Sequence, residues 1–274
     1  MKKRFFSRLS VGDVLSSGSA VAALGLIAGF ISIPIVSLLI WTVDSGAWAA
    51  MRSPVALEAL SLSIRTTAVT MCIAILVGTP AAYVLARFEF PGKKLVDSLV
   101  DIPAVLPPSA AGIALLLAFG RFGLIGQYLE VFGATVSFTT VAVIMAELFV
   151  ASHFYVRQAA IGFGGVDRDV EAAALVDGAR RSTAFMKITV PLAFPALIAG
   201  AMMAWARALG EFGATIIFAG NIQGVTQTMP LAIYTEFQRN LDAAVALSLL
   251  VLGFAFTVIF TVRYLTRKAT EYRE

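Results

Sequence analysis

The feature that most limits how this chain can fold is a succession of apolar runs close to twenty residues long. Six stretches qualify, roughly 20–42, 60–86, 102–120, 138–158, 189–219 and 243–263. A helix needs about 20 apolar residues to cross the hydrocarbon core of a bilayer. Composition agrees with that reading: 59% of the 274 residues are hydrophobic and only 14% are charged. A soluble domain of this size is nearer half apolar and a quarter charged. The excess is lipid-facing surface, so the chain reads as an all-α integral membrane protein with about six transmembrane helices. The third run carries Pro103, Pro107 and Pro108. Proline removes backbone donors, so that helix is expected to start irregularly and to be shielded by protein.

The N-terminus, "MKKRFFSRLS", is basic and precedes an apolar run, as in a signal peptide. That run is about 20 residues long and lacks a small-x-small cleavage site before Trp41, so it reads as an uncleaved first span. Lys and Arg positions orient the spans. With the N-terminus in the cytoplasm, the inside segments hold Lys2, Lys3, Arg4, Arg8, Arg87, Lys93, Lys94, Arg157, Arg168, Arg180, Arg181, Lys187, Arg263, Arg267, Lys268 and Arg273, which is 16 of the 21. Only Arg52, Arg121 and Arg239 fall outside, while Arg65 and Arg207 lie near or within spans. That bias places both termini in the cytoplasm. The net charge of +4 therefore implies no nucleic-acid partner. A single cysteine, Cys72, excludes a disulfide framework, and one histidine, His153, excludes the usual zinc clusters.

The most polar insertion, "VEAAALVDGARRSTAFMKITVPL" (170–192), lies on the inner side. Asp167 and Asp169 favour a helix start, "EAAALV" is helix-forming, and Gly178 fits a C-terminal stop. A second short helix, about 181–188, leads to Pro191, where the next span begins. Ala172, Ala173, Leu175 and Val176 offer an apolar surface of small residues. On the residues alone, the hairpin is either a solvated connection on the membrane surface or a face on which another protein packs.

This stretch resembles the EAA loop of ABC-importer permeases: E-A-A, three residues, G, nine residues, I-x-L-P. Gly178, Ile188 and Pro191 keep the spacing, with Val190 in place of Leu. Counting back from Gly178, the Glu position falls on Ala172, so Glu171 comes one residue early and the Ala pair becomes Ala173 and Ala174. That register makes the salt bridge expected of the motif's Glu less secure. "SLSIRTTAVTMCIAILVGTPAAYVLARFEFPGK" (61–93) and "DIPAVLPPSAAGIALLLAFG" (101–120) are similar to the core of such permeases. "FVASHFYVRQA" (149–159) and "ARALGEFGATIIFAGNIQGVTQTMPLAIY" (206–234) resemble more narrowly the permease subunit of molybdate or tungstate importers. His153 stands where that family's pattern has Pro.

The resemblance implies a type I ABC importer permease fold in a prokaryotic plasma membrane. Residues 1–54 would form a cytoplasmic tail and first transmembrane helix. Residues 55–265 would form a core of five spans with a cytoplasmic coupling hairpin at about 164–188, and 266–274 a cytoplasmic tail. It further implies a homodimer, a cytoplasmic ABC ATPase dimer seated on the hairpin, and an extracytoplasmic oxyanion-binding protein. ATP and Mg would be bound by the ATPase, with no cofactor in this chain. Consistent with this, no G-x-x-x-x-G-K-[ST] cradle is present, and "FPGKKL" (90–95) lacks its spacing.

Within the spans, "WARALGEFGATIIFAGN" (205–221) is the most informative stretch. Arg207 and Glu211 are four apart, which predicts a pair on one helix face. Charges at this depth are costly and face a cavity or a partner. Gly213, with Gly210, permits close approach or a break. Arg207, Glu211, Gly213, Thr215 and Asn221 are therefore candidates for a translocation path or gate, with a purely structural ion pair as the alternative. Thr226 and Thr228 add hydroxyls suited to a tetrahedral dianion. A sulfate or thiosulfate permease is the neighbouring reading, although "GEFGAT" is closer to the molybdate form. An ion-coupled secondary transporter would have to work through Arg65, Glu147, Arg207 and Glu211. A membrane enzyme would need clustered His, Asp or Glu, which the sequence lacks.

Overall fold

The computed structural model describes residues 11–45 and 47–271, and side chains over 18–43 and 47–264. Lys2, Lys3, Arg4, Arg8 and Arg273 of the charge argument lie outside the described residues, as do residues 272–274 of the expected C-terminal tail. Helices make up the described chain: α1 Val11–Ser45, a 3-10 turn Ala47–Arg52, α2 Pro54–Arg87, α3 Lys93–Val105, α4 Pro108–Phe119, α5 Gly126–Val131 and α6 Thr140–Gly164. There follow α7 Arg168–Val176, α8 Arg181–Ala184, a π-helical turn Phe185–Thr189, α9 Val190–Leu209, α10 Gly213–Phe218, α11 Met229–Phe237 and α12 Leu241–Glu271. Among the described residues, five segments are long and apolar enough to span a bilayer, Gly18–Val43, Pro54–Arg87, Thr140–Gly164, Arg181–Leu209 and Leu241–Tyr264, and a bent helix pair brings the number to six if it counts as one span.

The expected sixth span, 102–120, is not one helix. It is a pair, α3 and α4, bent by 118°. The cause is local: Leu106 takes the extended conformation (φ −69°, ψ 125°) that a following proline favours, and Pro107 and Pro108 bring no N–H to continue α3. The stretch 189–219 is corrected at both ends. Its helix starts at Arg181, running through α8 and the π turn into α9, and it stops at Leu209.

Caps and small residues explain the rest. Ser53 Oγ accepts from Ala56 N (3.2 Å) ahead of α2, and Thr139 Oγ1 accepts from Ala142 N (3.3 Å) ahead of α6. The core is α2, α6 and α9 around Tyr155, Phe163, Ala159, Ala193 and Ala204. Helices α6 and α9 meet through glycine. A Cβ on Gly162 would stand 2.5 Å from Ala196 Cβ, and one on Gly200 would stand 2.8 Å from Gln158 Cβ. Without a hydrophobic drive between helices in lipid, such close backbone approach supplies the packing. A second cluster joins α4, α6 and α10 through Ala111, Val143, Ala214 and Phe218. A third joins α2, α11 and α12 through Ala56, Met229 and Leu247. By contrast, α1 is exposed along nearly its whole described length and lies against α12, where Trp41 Nε1 donates to Asp242 Oδ1 (2.8 Å).

Candidate functional site

The first half of the hairpin is built as the sequence predicts, but the second short helix expected over about 181–188 is not separate: it runs through the π turn into α9. Asp167 caps α7 by accepting from Asp169 N (2.9 Å). Gly178 stops it at φ 87°, a left-handed conformation in which a side chain is strained. Its last carbonyls are closed by Gly178 N to Leu175 O (3.1 Å) and Ala179 N to Ala174 O (2.9 Å). Ala172 and Ala173 are exposed, and Ala174 is half-buried. Ile188 sits in the π turn and Pro191 in the first turn of α9.

Glu171 is where the structure departs from the register argument. Its Oε1 lies 3.2 Å from Arg87 Nη2, and it accepts from Thr189 Oγ1 at 2.5 Å. Arg87 also donates to Val166 O (2.7 Å). The Arg87 side chain is 7% exposed and that of Glu171 17%, so the pair is part-buried. One carboxylate therefore ties α7 to the end of α2 and to the start of α9. The salt bridge forms although Glu171 is one residue early, because the partner comes from another helix and meets a helix face rather than a sequence position. Arg87 and Thr189 were not singled out from the sequence. The signal available for Arg87 was a cation closing a long apolar helix, opposite an acidic hairpin.

The Arg207–Glu211 pair is real, but it does not share a helix face. Arg207 lies in the last turn of α9, and Glu211 lies beyond Gly210 in the break before α10. Glu211 is fully buried: Oε1 accepts from Ala214 N (2.8 Å), and Oε2 lies 2.6 Å from Arg207 Nη2. That second approach lacks the angle of a hydrogen bond and is a contact of charge. A cation on α9 and the first turn of α10 thus hold one carboxylate in the break. A Cβ on Gly213 would lie 2.8 Å from Pro108 Cβ, so the start of α10 sits against the start of α4. Thr215 is buried with its hydroxyl unpartnered. Asn221 is apart from these four. It bridges Thr235 Oγ1 (2.9 Å) and Gln227 Nε2 (3.0 Å), fixing the loop before α11. Thr226 Oγ1 accepts from Ile222 N (2.9 Å) in the same loop.

Two further polar features cross the spans. Glu147 of α6 is buried and accepts from Thr66 (2.7 Å) and Thr70 (2.8 Å) of α2. Arg157 of α6 grips Asp101 with two nitrogens (2.5 and 2.7 Å) and Asp97 Oδ1 at 2.9 Å, which clamps α3 beside α6. The bidentate fork is the strong form of such a bond. Among the described residues, no group of three or more His, Cys, Asp or Glu could hold a metal ion.

Comparison with known proteins adds the following. The profile of the family described as "Binding-protein-dependent transport system inner membrane component" matches residues 74–271. The "Molybdenum transport system permease protein ModB" of Mycobacterium bovis is 43% identical over 246 residues, covering 89% of this chain and 92% of that protein. The "Molybdate/tungstate transport system permease protein WtpB" of Thermococcus kodakarensis is 36% identical over 209 residues, covering 76% and 79%. Among solved structures, a chain of a bacterial alginate ABC transporter, crystallised with its alginate-bound periplasmic protein, superposes with a TM-score of 0.72 over 94% of this chain and 96% of that chain. It is 13% identical, a likeness of fold.

Proposed function

This chain belongs to the family of binding-protein-dependent transport system inner membrane components, and on that premise we propose that it carries molybdate or tungstate inward as the membrane subunit of an ATP-driven importer. The observation that carries the reading is the hairpin. Its inner side is tied by Glu171 to Arg87 and Thr189, hence to two spans at once. Its outer side, with Val170, Ala173, Val176 and Gly178, is exposed. The chain has no phosphate cradle of its own. A partner that binds ATP and Mg and pushes on this surface would move α2 and α9 together. That is the chemistry of a coupling element rather than of an enzyme.

The assembly proposed is two copies of this chain, two cytoplasmic ATPase subunits and an oxyanion-binding protein outside, in a prokaryotic inner membrane with both termini in the cytoplasm. The exposed flank of α1 is left to lipid or to the second copy. The core 55–265 would rock between inward-open and outward-open forms, with 1–54 and 266–274 peripheral to it. The broken stretch at Arg207, Glu211, Gly213 and Thr215 is the proposed gate, and Asn221 holds the loop above it. Charge at a helix break needs protein or water around it, which a path supplies. The oxyanion class rests on the identities of the relatives, and selectivity is assigned mainly to the external binding protein.

Reconstitution with the ATPase and binding protein tests the reading through ATP-dependent uptake of molybdate, tungstate and sulfate. Uptake of the first two, and none without ATPase, is the expected result. Uptake without ATPase refutes the ABC reading, and preference for sulfate refutes the substrate.

A further inference from the structure

Beneath the coupling hairpin lies an open-sided cavity of about 280 Å³. One face of α7 lines it through Arg168, Glu171, Ala172 and Leu175. The spacing i, i+3, i+4, i+7 is a single helical stripe, so the opposite side of α7 stays free for a partner. Arg87 of α2 and Arg181 of α8 also line it, so three arginines share one cavity. Against them stands one carboxylate, Glu171, whose Oε1 is already taken by Arg87 and Thr189. The hairpin's other acids, Asp167, Asp169 and Asp177, do not line the cavity. Among the described residues, neither Arg168 nor Arg181 has an acidic partner within 4.0 Å. Arg87 is 93% buried in its side chain by the 7% exposure, yet its Nε has no hydrogen-bond partner. A buried guanidinium nitrogen without an acceptor is costly, which leaves Arg87 with hydrogen-bonding capacity that the chain does not satisfy.

We propose that this cavity is an oxyanion site: it binds a tetrahedral phosphate-type group between Arg168, Arg181 and Arg87, bracing the hairpin against α2. Guanidinium forks suit such a group, and the opposing charges draw it in from the inner side. The remaining wall is apolar and aromatic. Tyr83 packs edge-on against Phe185 (ring centroids 4.8 Å) and Phe88 (6.0 Å), at the end of a membrane-spanning helix. Basic pockets of this composition at the cytoplasmic rim hold anionic headgroups, and a free oxyanion presents the same chemistry. The site deepens the coupling reading of the hairpin, but it is tested by binding and not by transport.

The experiment uses the purified full-length chain, with gel filtration to check that each variant is folded and monodisperse. In one arm, inorganic phosphate and tungstate are titrated into the protein in lipid-free detergent by calorimetry. In the other, native mass spectrometry counts lipids retained from nanodiscs of phosphatidylcholine with or without phosphatidylglycerol. Binding in at least one arm is expected, weakened tenfold or more by R168Q/R181Q, partly kept by R168K/R181K, and untouched by K187Q, in the π turn but outside the cavity lining. The arm that responds assigns the source. Binding in neither arm overturns the proposal, and so does binding that R168Q/R181Q leaves unchanged. If neither anion binds and R168Q/R181Q instead abolishes capture of the ATPase, the cavity receives a carboxylate of that partner and the proposal falls. None of these failures touches the transport reading, which uptake tests separately.

Discussion

Replacing Arg87 by alanine should loosen the hairpin without unfolding the protein. The pair Arg87–Glu171 is at 3.2 Å and its side chains are 7% and 17% exposed, so solvent screens it little. Removing one member of a buried pair costs about 3–5 kcal/mol, because the other charge stays buried and uncompensated. Glu171 is the more open member and keeps the Thr189 hydroxyl, which puts its share at or below the lower bound. Loss of the 2.7 Å bond to Val166 O adds about 1 kcal/mol. The sum is about 3–4 kcal/mol, a factor of roughly 10²–10³ in the docking equilibrium of α7. A nine-residue helix is marginal in isolation, so undocking also frays it. Hydrogen–deuterium exchange of peptides covering 167–180 in the assembled transporter reads this directly, alongside uptake per ATP hydrolysed. Arg87→Ala should raise exchange there, leave α6 and α9 protected, and hydrolyse ATP with little uptake. Glu171→Gln, which keeps an acceptor for both donors, should show the same pattern more weakly. Exchange and coupling both unchanged in Arg87→Ala would refute the view that this carboxylate fastens the hairpin.

Other consequences are as concrete. Gly178→Arg should leave the protein inserted but prevent capture of the ATPase, since the position has φ 87° and open space around it, on the proposed docking side; a normal pull-down contradicts the docking role. Gly200→Leu should lower the thermal midpoint in detergent by an amount matching about 2–3 kcal/mol, because the added carbons meet Gln158 and the Tyr155 carbonyl; an unshifted midpoint means α6 and α9 are not in close contact. Arg207→Ala should destabilise more than Glu211→Gln: the first strands a fully buried carboxylate, whereas the second keeps the acceptor for Ala214 N. The reverse order would show that Glu211 is not held in place by charge. Arg157→Ala should free α3 from α6, seen as faster exchange over 93–105 with the hairpin unaffected; unchanged exchange there would mean apolar packing holds α3.

The sequence by itself determined the all-helical membrane class, most of the spans and the hairpin with its Gly178 stop. Each follows from local causes: apolar length against a bilayer, helix propensity, a cap and a glycine at φ > 0. It also brought together Arg207 and Glu211, four residues apart, although it misplaced the helix end between them. What it could not supply were contacts between distant segments. Arg87 meets Glu171 across 84 positions, and Arg157 meets Asp101 across 56. The break of 118° before α4 was foreshadowed by its prolines, but its angle depends on what α3 and α4 pack against. Only the tertiary structure decided that a glutamate one residue out of register still finds its arginine. The reason is geometric: a carboxylate reaches whatever cation the packing of other helices delivers, and close packing of α2 on α6 at Gly78, and of α6 on α9 at Gly162 and Gly200, fixes where those helices lie.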